Sequence, residues 1–213
     1  MEVSAEIRWF WQGLGPPGLK EWFTDACFHD CPVGGGGHRV DAYLSDPQQV
    51  ELGVKLRGKK TGVEVKGLVA VLADGCTDSP FVGPVEIWGK WSSEALSLAG
   101  ASLVLVSKRR WLRKFGSLGL ELREIALDIN EFPKDGRHLP NDGCNVEYAE
   151  ISVEAGLGWV TLGFEAFGAL DNVMVSLRRT TARLSLRQCP KFVGGWSGSY
   201  PKWLQRVTSP ERP

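Results

Sequence analysis

Charged residues recur at even spacing along several otherwise apolar segments, two apart at Glu6 and Arg8, Lys55 and Arg57, Glu64 and Lys66, Lys108 and Arg110, and Glu121 and Arg123, and four apart at Glu86 and Lys90 and at Glu150 and Glu154. An even spacing puts both members on one face of a β-strand. If several such faces converge, the lysines and arginines can grip a chain of phosphates through charge-assisted hydrogen bonds. The carboxylates beside them can hold a hard divalent cation that neutralises the remaining phosphate charge.

The elements that must position these groups read mainly as strands. Val50 to Val69 reads as a β-hairpin, with Leu52, Val54, Leu56, Val63 and Val65 on one face and Lys55, Arg57, Glu64 and Lys66 on the other, around a turn at Gly58 to Gly62. Glu2 to Trp11 alternates strictly, with Val3, Ala5, Ile7, Trp9 and Trp11 opposite Ser4, Glu6 and Arg8. The same division predicts strands at His38 to Leu44, Val85 to Trp91, Ala101 to Trp111, Leu118 to Ala126, Asn145 to Glu154 and Trp159 to Phe167. Leu19 to Phe23, after Pro16 and Pro17, reads as a short helix. Ala169 to Leu184 carries apolar residues at helical spacing, a short helix is expected after Trp91, and Ser199 to Leu204 starts a terminal helix. The tail at 209–213 is expected to be disordered.

Composition sets the limits. The chain has 213 residues, 43% of them hydrophobic, enough to bury a core as one domain over 1–208. Its 25 basic and 25 acidic residues cancel, so no global field favours nucleic acid, and the arginines at 178, 179, 183 and 187 read as a solvated helix face. No stretch reaches the run of about 18 apolar residues that a membrane helix requires. The five cysteines are odd in number and scattered, and the first residues lack a basic region followed by an apolar run; a cytoplasmic location is expected. Between Cys27 and His38, two cysteines and two histidines lack the paired spacing of a structural zinc site, and the glycines at 34–37 read as a loop.

Strands with one apolar and one ionic face have two solutions. The apolar faces can fill a barrel with charges in solvent, or the sheet can close with charges inside and helices over the outer apolar faces. Trp9 and Trp11 favour the second, because large outward side chains need the Leu19 to Phe23 and Ala169 to Leu184 helices to pack against. The expected fold is mainly β (α+β): an eight-stranded antiparallel β-barrel tunnel with helices outside.

In order along the chain, Asp41-Ala-Tyr43-Leu44, Val54-Lys-Leu-Arg57, Val63-Glu-Val-Lys-Gly67, Val106-Ser-Lys-Arg-Arg110, Glu150-Ile-Ser-Val-Glu154 and Ser199-Tyr-Pro-Lys-Trp-Leu204 resemble the successive motifs of the CYTH or triphosphate tunnel metalloenzyme superfamily. That superfamily includes thiamine triphosphatase, inorganic triphosphatases and class IV adenylate cyclases. The resemblance implies a triphosphate or polyphosphate ligand and Mg²⁺ or Mn²⁺. It casts Arg8 and Lys66 as catalytic and Lys55, Arg57, Lys66, Lys90, Lys108, Arg110 and Arg123 as substrate-binding. Glu6, Glu86, Glu150 and Glu154 become the metal ligands. Two departures stand out: the family's amino-terminal E-x-E-x-K falls on Ser4-Ala-Glu-Ile-Arg8, with Ser4 for its first glutamate and Arg8 for its lysine, and Ser152 stands where the late acidic strand has glutamate. The expected activity is a metal-dependent triphosphate hydrolase. The alternatives are a weakened phosphate-binding module, a class IV cyclase, or a ligand-free barrel, and a homodimer is compatible with each.

Overall fold

The computed structural model describes residues 2–44, 49–58, 61–76, 79–118, 121–136, 138–153, 156 and 158–209. Lys59 and Lys60 of the hairpin turn, Leu120, Glu154 and the tail beyond 209 lie outside the described residues. In chain order the strands are β1 (Glu2–Gln12), β2 (Gly34–Leu44), β3 (Leu52–Arg57), β4 (Val63–Cys76), β5 (Gly83–Ser93), β6 (Leu103–Leu118), β7 (Glu121–Ile125), β8 (Gly143–Val153), β9 (Trp159–Gly168) and β10 (Trp196–Ser197). Eight of them close into a barrel in the order β1-β5-β4-β3-β2-β6-β8-β9, with β9 returning to pair with β1. Every pairing in the ring is antiparallel. β7 hangs from β6 and β10 from the end of β1. Closure leaves the barrel without a free edge around the ring.

Three helices lie outside the wall: α1 (Leu19–Thr24), α2 (Leu170–Ser185) and α3 (Tyr200–Thr208). Alternation along β1 explains where two of them go. Its odd residues Ala5, Ile7, Trp9 and Trp11 point outward and are almost fully buried, packed with Leu19, Trp22 and Phe23 of α1 and Val173, Leu177 and Leu184 of α2. α2 buries positions 173, 176, 177, 180, 181 and 184, the i, i+3, i+4 stripe of an amphipathic helix. Each large apolar side chain buried there contributes roughly 1.5 to 3 kcal/mol. The core therefore lies outside the tunnel wall.

The inner face is apolar only at one end. Phe10, Tyr43, Val106, Ala149 and Ile151 gather there with Trp203 and Leu204 of α3. Trp203 stacks on Phe10 with ring centroids 5.7 Å apart, so α3 closes that mouth of the barrel. Pro201 in its first turn lacks only a backbone N–H that a helix start leaves unpaired.

Several expectations change. β2 begins inside the glycine run instead of after it, because Gly35 and Gly36 take φ of 89° at a bulge and a Cβ on Gly34 would lie 2.6 Å from that of Leu127. No helix follows Trp91; β5 runs on to Ser93 and a turn succeeds it. α2 packs on β9, β1 and β8, so the outward Val54 and Leu56 of β3 are only half-buried. Finally, β8 is turned over relative to the sequence reading. Cys144, Val146 and Tyr148 face the outer core, while Ala149 and Ile151 point inward at the closed end. No described helix is long and apolar enough to cross a membrane.

Candidate functional site

The barrel encloses a cavity of about 520 Å³. Exposed Glu2, Trp91 and Ser92 mark its mouth, and Tyr43, Tyr200 and Pro201 its floor beneath α3. Eight basic side chains line it against five carboxylates, an excess of three basic groups in a chain whose formal net charge is zero. Asp41, buried behind Arg39 at 3.1 Å, and Glu131, which takes Arg110 through two hydrogen bonds, reduce the excess to one. Alternation delivers the cations from neighbouring strands: Arg8 from β1, Arg39 from β2, Lys55 and Arg57 from β3, Lys66 from β4, Lys90 from β5, Lys108 and Arg110 from β6.

Deep in the cavity three of them converge on one carboxylate. Glu147 of β8 receives Arg8 and Lys108 at 2.8 Å and Arg110 at 3.4 Å. Burial alone would raise the Glu147 carboxyl, but Lys108, Arg8 and Arg110 together hold it well below the usual range. Lys108 also donates to the Tyr200 hydroxyl at 3.0 Å. Burial pushes its ammonium down and Glu147 pulls it up, but Arg8, Arg39 and Arg110 push it down again, leaving it at about 7. The Arg8 guanidinium lies over the Tyr200 ring, 4.8 Å from its centroid. Gly163 of β9 makes room for it, since a Cβ there would sit 2.4 Å from the guanidinium carbon.

A second group lies where β1 meets β5 and β9. Glu6 and Glu165 are register partners across β1 and β9. Lys90 bridges them, 3.0 Å from Glu6 and hydrogen-bonded to Glu165, while Lys66 takes the other oxygen of Glu6. The Ser4 hydroxyl donates to Glu6 at 2.6 Å. Burial tends to raise Glu6, yet Lys66 and Lys90 outweigh it and lower its pKa; burial tends to lower Lys90, yet Glu165 and Glu6 raise it. Nearer the mouth the pairs are looser: Glu64 stands 3.4 Å from Lys55 and 3.7 Å from Arg57.

Eight of the residues read from the sequence thus share one cavity: Glu6, Arg8, Lys55, Arg57, Lys66, Lys90, Lys108 and Arg110. Three others stand elsewhere. Arg123 sits on β7, outside the ring, in an exposed pair with Glu121 at 2.7 Å. Glu150 points outward to Lys20 of α1 at 2.6 Å, because β8 is turned over, and Ser152 shares that outer face. Glu86 occupies a side pocket, held by Lys202 of α3 at 2.6 Å and by the Trp88 indole at 3.1 Å. The arginines of α2 are largely engaged: Arg178 reaches the Gly75 carbonyl, and Arg183, with Arg187 just beyond the helix, binds Asp30.

The sequence reading missed Glu147, Glu165 and Arg39. Glu147 has the opposite strand parity to Glu150, and the apolar Ala149 and Ile151 beside it disguised the inner face. Glu165 is a lone charge in Leu162-Gly-Phe-Glu-Ala166 and shows no alternating partner.

Among the described residues no group of three or more His, Cys, Asp or Glu side chains is placed to hold a metal ion. Glu6 and Glu165 come nearest, but ammonium groups already contact both, so the donor set does not fit Mg²⁺ or Mn²⁺ as the side chains stand. No protein-family model matches the chain, and no curated protein matches it significantly.

Proposed function

We propose that the tunnel binds the triphosphate group of a small molecule, or a short polyphosphate. The observation that carries this reading is the concentration of eight cations in one half-open cavity of an electrically neutral chain. Arginine forks and lysine ammoniums at several heights suit an anion with charge spread along its length. The ordered likeness to the triphosphate tunnel motifs supports the same ligand. Between the sequence-level alternatives, the binding module is favoured over the metal-dependent triphosphatase, because two of the four carboxylates expected to hold metal, Glu86 and Glu150, are engaged elsewhere. A class IV cyclase would need the same metal.

Isothermal calorimetry at fixed salt tests the proposal, with tripolyphosphate compared against pyrophosphate and sulfate. The expected order is tripolyphosphate tightest and sulfate weakest, since each added phosphate reaches further cations. Equal weak binding of all three would refute it. A parallel assay for phosphate release with Mg²⁺ and with Mn²⁺ separates binding from turnover. Release at about 1 per second or faster, the ordinary enzyme range, would restore the hydrolase reading.

A further inference from the structure

We infer that the Lys90 ammonium takes the place of a divalent cation between Glu6 and Glu165, so that the tunnel binds its anion without metal. The inference rests on the triphosphate reading for its ligand, but the ammonium's position stands independently of it. Glu6 and Glu165 face each other across the β1 and β9 pair, and Lys90 comes from β5, the strand on the other side of β1. Its Nζ lies 3.0 Å from Glu6 and is hydrogen-bonded to Glu165, a bridging position between two carboxylates.

The surroundings hold it there. Three donors hold Glu6: one oxygen accepts from Ser4 at 2.6 Å and contacts Lys90, and the other accepts from Lys66. Lys66 is itself fixed over the Trp88 ring, 4.6 Å from its centroid. Two carboxylates and two ammoniums make a neutral group, so no negative potential remains to offset the dehydration of a doubly charged ion. An entering divalent ion would stand beside two ammoniums within contact distance of the same oxygens. An incoming phosphate reaches these ammoniums by exchanging their carboxylate contacts for its own oxygens, and it needs no metal between it and the carboxylates.

Two measurements test this. The first is direct Mn²⁺ binding, followed by electron paramagnetic resonance of the free ion, on the wild type, Lys90→Met and the milder Lys90→Gln. The wild type is expected to show no site in the micromolar range. The variants are expected to bind Mn²⁺ at least about tenfold more tightly than the wild type, because a neutral side chain uncovers the two carboxylates. A wild-type micromolar site lost in Glu165→Gln, or a gain of less than about threefold in folded variants, would overturn the inference. If neither variant folds, the wild-type measurement alone still decides. The second is tripolyphosphate calorimetry in chelator and in Mg²⁺. Affinity unchanged or weaker in Mg²⁺ supports the inference, and affinity tightened about tenfold or more overturns it. Binding in neither condition would instead refute the triphosphate reading and leave the Mn²⁺ result to judge the ammonium's role.

Discussion

Replacing Lys108 by Met is expected to stabilise the free protein while removing part of its anion grip. Lys108 is almost fully buried, and its pKa falls from 10.5 to about 7, chiefly through desolvation and the nearby Arg8, Arg39 and Arg110. A depression of that size means that the charged form is disfavoured in the folded state by roughly 5 kcal/mol relative to the unfolded chain. Met removes that cost but forfeits the hydrogen bond to Tyr200, about 1 kcal/mol. Glu147 keeps Arg8 at 2.8 Å and Arg110 at 3.4 Å, so it is not left as a bare buried charge. After allowance for imperfect packing and for the ion pair that Glu147 loses, the net gain is about 1 to 3 kcal/mol at neutral pH; it depends on Glu147 keeping two guanidinium partners, since stripping a buried charge of its only partner would destabilise instead. The pH dependence fixes the sign. Below the folded value both states carry the proton and the penalty is complete. Between about 7 and 10.5 the unfolded chain holds a proton that the folded chain has released, so wild-type stability gains up to about 1.4 kcal/mol per pH unit from this group. The advantage of Lys108→Met should therefore be largest at about pH 6 and shrink towards pH 10. Urea denaturation of both proteins across that range is the assay. A variant less stable than wild type at about pH 6, or a difference that does not change with pH, would refute the reasoning.

Gly163→Ala should displace the Arg8 guanidinium, which stands 2.4 Å from the added carbon, at a cost of about 1 to 3 kcal/mol in stability and with weaker tripolyphosphate binding; unaltered unfolding and affinity would show that Arg8 has room to move. Arg57→Ala should weaken tripolyphosphate binding by about 1.5 to 3 kcal/mol by calorimetry, and unchanged affinity would remove Arg57 from the ligand's contacts. Ser152→Glu should leave tripolyphosphate binding as it is, because the residue belongs to the outer face of β8; an affinity changed about tenfold or more would contradict the strand's orientation.

Strict alternation made the closed barrel legible. In β1, every second residue from Val3 to Trp11 is apolar, and no solvent-facing strand would carry two tryptophans there. The pairs at Lys55 and Arg57 and at Lys108 and Arg110 were readable for the same reason. β8 was not. Its inner face changes character along its length, from Glu147 in the ionic cavity to Ile151 against α3, while its outer face changes the opposite way, from Val146 in the core to Glu150 beside Lys20. A period-two pattern assumes that each face keeps one character from end to end. A barrel plugged at one mouth breaks that assumption wherever a strand passes the plug, and the sequence of the strand carries no sign of where that happens.

The same geometry orders the cations by how firmly they are already held. Arg8, Lys108 and Arg110 share Glu147 at the floor, and Lys66 and Lys90 are locked to Glu6 and Glu165 along one wall. Lys55 and Arg57 stand 3.4 and 3.7 Å from a single carboxylate, Glu64, and each keeps about a quarter of its side chain exposed. An anion that enters the cavity displaces these two most easily, because theirs are among the longest ion pairs in the tunnel. Each further step must exchange a shorter ion pair, and at Glu147 a drier one, for a phosphate contact, and only an anion with several charges in series gains enough to continue. Sulfate can satisfy the mouth alone. A chain of three phosphates can neutralise the mouth and the floor together, so selectivity by ligand length follows from the graded pairing of the cations without any contact specific to an organic group.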